Sequence, residues 1–467
     1  MSDRSRQRDL TTGPVAKTLF LFALPSLGVN ILQSANGSVN AVFVGQFLGE
    51  RALAATANAN MTMFLMYSTM FGFAMATTIL IGQAMGRRDI ADVRRTIGAA
   101  TGLFFVLGIL TAVLGWIFAP DVLHLLATPK NAYPLALTYL RVMFLGMPFS
   151  FLAILLSSAM RGVGDAVTPL WNTVLNVTLD AGLNPVFILG LGPVPAMGIA
   201  GSALASVLAT FISIIVLIWQ IYRRDITIRL RGEELRWLIP DMTHARPIFA
   251  KGFPMGLSMI VMSLSSLVMI GLINREGVDT AAAFGVMNQL WSYVQMPAVA
   301  VGSAVSAMAA QNIGAGNWSR LSRVAWAGMG INALMSVTLL GLITLGIHPI
   351  LSLFLPEAGA ATEIAVHMNL LVGWTFIAIG ISMVLGSVVR ANGAVIGPFV
   401  ILVLSAVVMR FAVGFWLHPY WGADAIWAAF GSSAVVSLLL TMLYYWHGGW
   451  RKLHMVAAPA AQRHAEI

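Results

Sequence analysis

Apolar runs of membrane-crossing length, separated by short polar stretches, recur from residue 17 to residue 446. A helix needs about 20 such residues to cross roughly 30 Å of hydrocarbon. The pattern therefore predicts twelve transmembrane helices, near 17–44, 54–82, 97–118, 134–160, 168–190, 196–222, 250–274, 281–311, 321–347, 362–388, 396–418 and 424–446. No soluble domain of useful size fits between them, which excludes catalysis in such a domain. The first run follows a polar leader with Arg4, Arg6 and Arg8, but it is far longer than the apolar core of a signal peptide. It reads as a retained span.

Composition agrees with the pattern. With 58% hydrophobic residues, 10% charged residues and a mean hydropathy of +0.83, the chain has too little polar surface to cover a water-soluble globule of 467 residues. There are no cysteines, so disulfides and thiolate metal sites are excluded. The net charge of +9 raises the question of a nucleic-acid partner, and the location of the charges answers it. Of the 27 Lys and Arg, 22 fall on the side of the two termini, among them Arg87, Arg88, Arg94, Arg95, Arg223, Arg224, Arg320, Arg323, Arg451 and Lys452. Only Arg51, Lys130, Arg141 and Arg275 fall on the other side, and Arg410 lies within a span. This is a positive-inside bias, which places both termini in the cytoplasm and argues against nucleic-acid binding.

The sequence also repeats itself at an offset of 228 or 229 residues. Pro25 falls on Pro254, Gln83 on Gln311, Gly86 on Gly314, Arg95 on Arg323 and Pro120 on Pro349. The clearest correspondence sets Arg161, Gly164 and Pro169 against Arg390, Gly393 and Pro398. A duplicated six-span unit explains these matches together. The fold class that follows is all-α integral membrane, twelve transmembrane helices in two six-helix lobes related by pseudo-two-fold symmetry about the membrane normal. The expected divisions are a first lobe over 1–222, a cytoplasmic linker over 223–249, a second lobe over 250–446 and a cytoplasmic tail over 447–467. Within the linker, Arg231–Leu238 reads either as a short interfacial helix or as a solvated connection.

Ionisable groups in hydrocarbon are costly and usually functional. Of 18 acidic residues, Asp180 alone sits mid-span, and none of the eight histidines does. A histidine proton relay is therefore not expected. Asn172, Asn176, Asp180 and Asn184 recur every four residues and share one helix face. In the first span Asn30, Gln33, Asn36 and Asn40 also share a face. Two such stripes in one lobe can enclose a small hydrated cavity, although asparagine also serves as interhelical hydrogen-bond glue. A buried carboxylate can hold a proton or a sodium ion reversibly, as a coupling site must.

The offset of 229 carries Gln33, Asn36 and Asn40 onto Met262, Ser265 and Met269, and it carries Asn176 and Asp180 onto Ser405 and Met409. Methionine suits a surface that accepts many apolar shapes. Met287, Gln289, Trp291 and Tyr293 add aromatic and amide groups in the eighth span. These residues read as lining a substrate cleft or as ordinary helix packing. The in-span prolines permit bending without diagnosing it. Arg410 is the one mid-span cation, better accounted for by snorkelling or by pairing within the second half than by substrate contact.

Leu24-Pro25, Val39–Gly45, Gly82–Gly86, the paired Arg161 and Arg390 loops, Asn176–Asp180 and Asn184-Pro185 together resemble the multidrug and toxic compound extrusion (MATE) transporters of bacterial type, over nearly the whole chain. The resemblance implies efflux of small organic compounds, often cationic and amphipathic, by antiport with protons or sodium through alternating access. Asn176 and Asp180 match the family's first-lobe cation site, with Asn36 and Asn40 as neutral ligands and a sodium ion placed at Asp180 and Asn176. Bacterial members commonly carry an aspartate where this chain has Asn40, and the acids that some sodium-coupled members carry in spans 7 and 10 are also missing. The coupling ion stays open, with a lean to protons.

The expectation is thus a monomeric, multi-pass transporter of the inner cell membrane, in contact with small organic substrates and lipids. It would use no cofactor beyond a proton or sodium gradient and would not be an enzyme, since no catalytic constellation converges in the spans. A lipid-linked oligosaccharide flippase of the same superfamily is the alternative, and a single mid-span cation counts against it.

Overall fold

The computed structural model describes residues 7–126, 128–192, 195–355 and 359–455, and there is no β-strand among them. Arg4, Arg6 and the last twelve residues of the expected tail lie outside the described residues. The first half forms α1 (Val15–Leu48), α2 (Glu50–Gly86), α3 (Ile90–Leu125), α4 (Tyr133–Leu145), α5 (Met147–Gly162), α6 (Val167–Leu189) and α7 (Ile199–Arg223). The second half repeats the order with α8 (Met242–Arg275), α9 (Val278–Gly314), α10 (Trp318–Leu345), the short α11 (Ile347–Leu351), α12 (Ala360–Val372), α13 (Thr375–Ala391), α14 (Ile396–Val403), α15 (Arg410–Trp421) and α16 (Ala423–His447). This is the all-helical, twelve-span layout expected from the sequence.

Two expected spans are broken, at equivalent places. α4 and α5 meet at 53°, and α12 and α13 meet at 41°. Pro148 in the first turn of α5 lacks the N–H that a continuous helix would direct at the carbonyl four residues earlier. At the second corner, a Cβ on Gly373 would meet the Asn369 carbonyl oxygen and Leu340, so no larger residue fits without a shift. With each bent pair taken as one span, eleven spans are long and apolar enough to cross a membrane. The twelfth, α6, has the length at 23 residues, but its Asn and Asp stripe lowers its hydropathy.

Burial differs along the repeat. The most apolar windows of α2 and α9 are 61% and 72% buried, against 17% for α3 and 22% for α10. α2 and α9 are thus enclosed by other helices, whereas α3 presents Phe105, Val106, Ile109, Leu110, Val113 and Ile117 outward. An apolar exterior of this kind is the surface that lipid requires.

The chain divides into two compact units. The first comprises 1–9 and 28–256, and the second comprises 10–27 and 257–467. This partition differs from the division expected at 222 and 250. The start of α1 groups with the second unit, and the linker with the start of α8 groups with the first. The two crossover points, after Leu27 and after Gly256, are one repeat length apart.

The linker has a physical reason for its grouping. Residues Gly232–Leu238 form a short 3-10 helix laid against α3. Arg94 pairs with Glu234 at 2.8 Å, and the Arg95 guanidinium sits 5.5 Å from the Trp237 ring centroid. Desolvation opposes ionisation of Glu234, but the Arg94 contact and the Arg231 N–H prevail and hold its carboxyl below the ordinary glutamate range.

Each unit closes a helix–helix turn with a strap from a chain terminus. The carbonyl of Gly164, at φ +88°, accepts from the Arg8 N–H at 3.1 Å, and a Cβ there would strike the Arg8 backbone. Gly393, its repeat partner at φ +93°, meets the backbone of His454 and Met455 in the same way. Beside it the Asn392 side-chain amide donates to the carbonyls of Trp450, Arg451 and Leu453 at 3.0, 3.1 and 2.7 Å. Asn392→Ala leaves these carbonyls without that donor and is expected to cost about 1–3 kcal/mol. The check is a lower melting temperature in detergent together with faster proteolysis within 450–455.

Candidate functional site

Within the first unit, residues of α1, α2, α4, α5, α6 and α7 line a cavity of about 310 Å³. Its wall is unusually polar for a membrane helix bundle: Asn36, Asn40, Thr56, Asn60, Tyr67, Tyr139, Ser150, Asn176, Asp180, Ser206 and Thr210, with Val44, Met143 and Val207 among the apolar members. Asp180 supplies the only carboxylate.

The carboxylate is 2% exposed and accepts three hydrogen bonds. Asn36 Nδ2 donates to Oδ2 at 2.9 Å. Ser206 Oγ donates to Oδ1 at 2.9 Å, and Asn184 Nδ2 donates to the same oxygen at 3.2 Å. All three donors are neutral, and no ion pair to Asp180 occurs among the described residues. When ionised, the carboxylate would carry one negative charge stabilised by dipoles alone, an arrangement that suits a monovalent cation or a proton as counter-charge. No group of three or more His, Cys, Asp or Glu able to hold a metal occurs among the described residues.

The other expected coupling residues line the same cavity without touching the carboxylate. Asn40 accepts from Ser202 Oγ at 2.9 Å and is in hydrogen-bonding contact with Tyr139. Asn176 donates to Thr210 Oγ1 at 3.3 Å. Gln33 is exposed on α1 and is not part of the cavity wall. Sequence reading missed Ser202, Ser206 and Thr210 on α7, as well as Tyr67 and Tyr139. The first three recur every four residues, the same signal that exposed the α6 stripe. Tyr67 stands alone in α2 and Tyr139 shares α4 only with Tyr133, six residues earlier, so neither carries a periodic signal.

The residues proposed for a cleft in the second half divide by burial. Met269, Met287 and Trp291 belong to the apolar core of the second unit with Leu351, Met368 and Trp427. Trp291 also donates to Asn369 Oδ1 at 3.3 Å. These three are packing residues in this structure. Met262 and Met409 are half-buried. Gln289 and Tyr293 are exposed and bonded to each other at 3.2 Å. Ser265 is buried, donates to the Ala406 carbonyl and accepts from Arg410.

Known proteins place this geometry in a family. The MatE family model matches twice, over residues 25–186 and 254–416, and the two stretches start 229 positions apart and end 230 apart. The chain is 35% identical to a probable multidrug resistance protein of Bacillus subtilis, YoeA, across 92% of this chain and 93% of that one. A second probable multidrug resistance protein of that bacterium, YpnP, is 29% identical across 96% and 98%. A solved outward-facing multidrug resistance MATE family transporter superposes with a TM-score of 0.86 at 18% identity, covering 96% of this chain and 98% of that one. The duplicated match over most of the chain, the long relatives and the shared fold lead to one conclusion: this protein belongs to the MatE family, a multi-pass membrane transporter family.

Proposed function

We propose that the chain exports small organic compounds across the inner cell membrane by antiport, exchanging them for protons or sodium ions through alternating access of its two lobes. The observation that carries this reading is the buried carboxylate of Asp180, the one carboxylate lining the polar cavity, in a chain whose relatives are named as multidrug resistance proteins. Both termini lie in the cytoplasm in this reading, as the charge bias of the loops favours. No chemistry on the substrate is required of it.

The hydrogen bonds favour protons as the coupling ion. Oδ1 already accepts from Ser206 and Asn184, and Oδ2 accepts from Asn36. A sodium ion needs several oxygen ligands at once, so it would have to displace these donors. A proton on Oδ2 needs only a rotation of the Asn36 amide, which then presents its oxygen as acceptor. Cation loading removes the charge from the cavity, and release restores it. That change gives the two states of the site different preferences for water and substrate.

The test is efflux from membrane vesicles carrying the purified protein, with the proton and sodium gradients imposed separately. Efflux of a cationic dye driven by the proton gradient, and insensitive to sodium, is the expected result. Efflux driven by sodium alone overturns the choice of ion, and absence of efflux under either gradient overturns antiport.

A further inference from the structure

The second unit contains a buried charge that this coupling scheme leaves unused. Arg410 is 5% exposed and lies within Ile396–Trp421, a run apolar enough to cross a membrane. Its Nε and Nη2 donate to Ser433 Oγ at 3.2 and 3.1 Å, and Nη1 donates to Ser265 Oγ at 3.3 Å. The Phe430 ring centroid lies 4.8 Å from Cζ. Among the described residues no carboxylate pairs with this guanidinium. Two hydroxyls and a ring face provide dipoles, but they do not cancel a whole charge, and an uncompensated buried ion costs several kcal/mol. Arginine cannot relieve that cost by losing its proton.

The position of Arg410 in the repeat gives this charge a meaning. α14 and α15 are joined by π-helical turns over Leu404–Met409, whereas α6 is unbroken α-helix. A π turn closes its hydrogen bond one residue later than an α turn, so it accommodates one extra residue, and such turns occur often at functional sites. Beyond it the two halves align at 230 rather than 229, the step also present between the two MatE matches. Asp180 then falls on Arg410 and not on Met409, which corrects the correspondence drawn from the sequence.

The neighbours agree with this alignment. Asn36, a donor to Asp180, falls at 229 on Ser265, a partner of Arg410. Ser206, another donor to Asp180, lies eight residues after Gly198, the N-cap of α7; Phe430 lies eight after Gly422, the N-cap of α16. The two caps share a backbone conformation, φ 57° and ψ −128° against φ 54° and ψ −132°. Each unit therefore holds a buried ionisable side chain at this equivalent place in its fold, a carboxylate in the first and a guanidinium in the second.

We propose that Arg410, with Ser265 and Ser433, binds the anionic group of exported compounds, a carboxylate, sulfonate or phosphate ester. The guanidinium fork matches the paired oxygens of such groups, and the serine hydroxyls orient it. This assignment rests on the transport reading above and adds a substrate class to it: anionic or zwitterionic amphiphiles alongside the cations.

The test compares two xanthene dyes of similar shape and opposite charge, fluorescein and a cationic rhodamine ester, by fluorescence anisotropy on the full-length protein in detergent. Wild type is expected to bind both. Arg410→Gln is expected to weaken fluorescein at least about tenfold while rhodamine stays within about twofold, and Arg410→Lys to recover part of the fluorescein affinity. Should Arg410→Gln fail to fold, Ser433→Ala keeps the arginine and is expected to reduce fluorescein binding alone. The proposal is overturned if wild type does not bind fluorescein, if the variants bind it as wild type does, or if both dyes weaken together. Arg410-dependent binding without gradient-driven efflux would instead remove the transport reading and keep this site.

Discussion

Asp180→Asn is expected to lower gradient-driven efflux at least about tenfold, a loss of 1.4 kcal/mol or more in coupling, without lowering the melting temperature of the protein in detergent. The two halves of this result have one cause. The carboxylate is 2% exposed and its partners Asn36, Ser206 and Asn184 are all neutral. The native site thus bears the desolvation cost of an unpaired charge. An amide of the same shape keeps hydrogen bonds available to all three partners once the Asn36 amide turns, so folding is unharmed and can gain. It cannot alternate between charged and neutral, so a gradient has nothing to act upon. Vesicle efflux and a thermal melt of the same preparation check both halves. Wild-type efflux under both gradients would remove Asp180 from the coupling role; a large fall in melting temperature would make its role structural.

The sequence made some of this legible and hid the rest for identifiable reasons. A carboxylate in an apolar run is conspicuous because hydrocarbon penalises it, so Asp180 was visible at once. Asn36 was visible through helical spacing. Ser206 carries the same four-residue spacing with Ser202 and Thr210, but serine and tyrosine are ordinary in membrane helices, and Ser206 and Tyr139 stand out as site residues only when α7 and α4 bring them beside α6. The methionines of the second half were ambiguous for a related reason. Met269 and Met287 have the composition of an adaptable surface, but their burial at 0% exposure makes them core. The one-residue step at Leu404–Met409 escaped altogether, since a π turn leaves no residue signature and displaces every later correspondence by one. An in-span proline permits a bend without diagnosing it, and at Pro148 the 53° corner shows the bend made.

The unit boundary leads to the largest structural effect expected. At Gly72 on α2, an added Cβ would run into the backbone of Gly252 and Gly256 on α8. On the facing side, a Cβ at Gly252 would strike Phe73, and one at Gly256 would come within 2.8 Å of the Thr69 carbonyl oxygen. The two helices thus touch backbone to backbone, by the small-residue spacing that lets membrane helices approach closely. Phe249 stacks on Phe73 at 5.4 Å and on Phe253 at 6.2 Å, closing the same crossing from one side. This contact holds residues 242–256 in the first unit while the rest of α8 belongs to the second. Because the obstacle is backbone and not a flexible side chain, it cannot rotate away. Gly72→Ala is expected to cost about 1–3 kcal/mol as overpacking, and Gly72→Val to leave little monodisperse protein. Gly285 on α9 has nothing within 4 Å of its added Cβ, so Gly285→Ala is the matched control. It is expected to be neutral or stabilising by about 0.5–1 kcal/mol. Detergent melting curves and size-exclusion profiles of the three variants decide the matter: if Gly72→Val melts with wild type, α2 and α8 do not cross here.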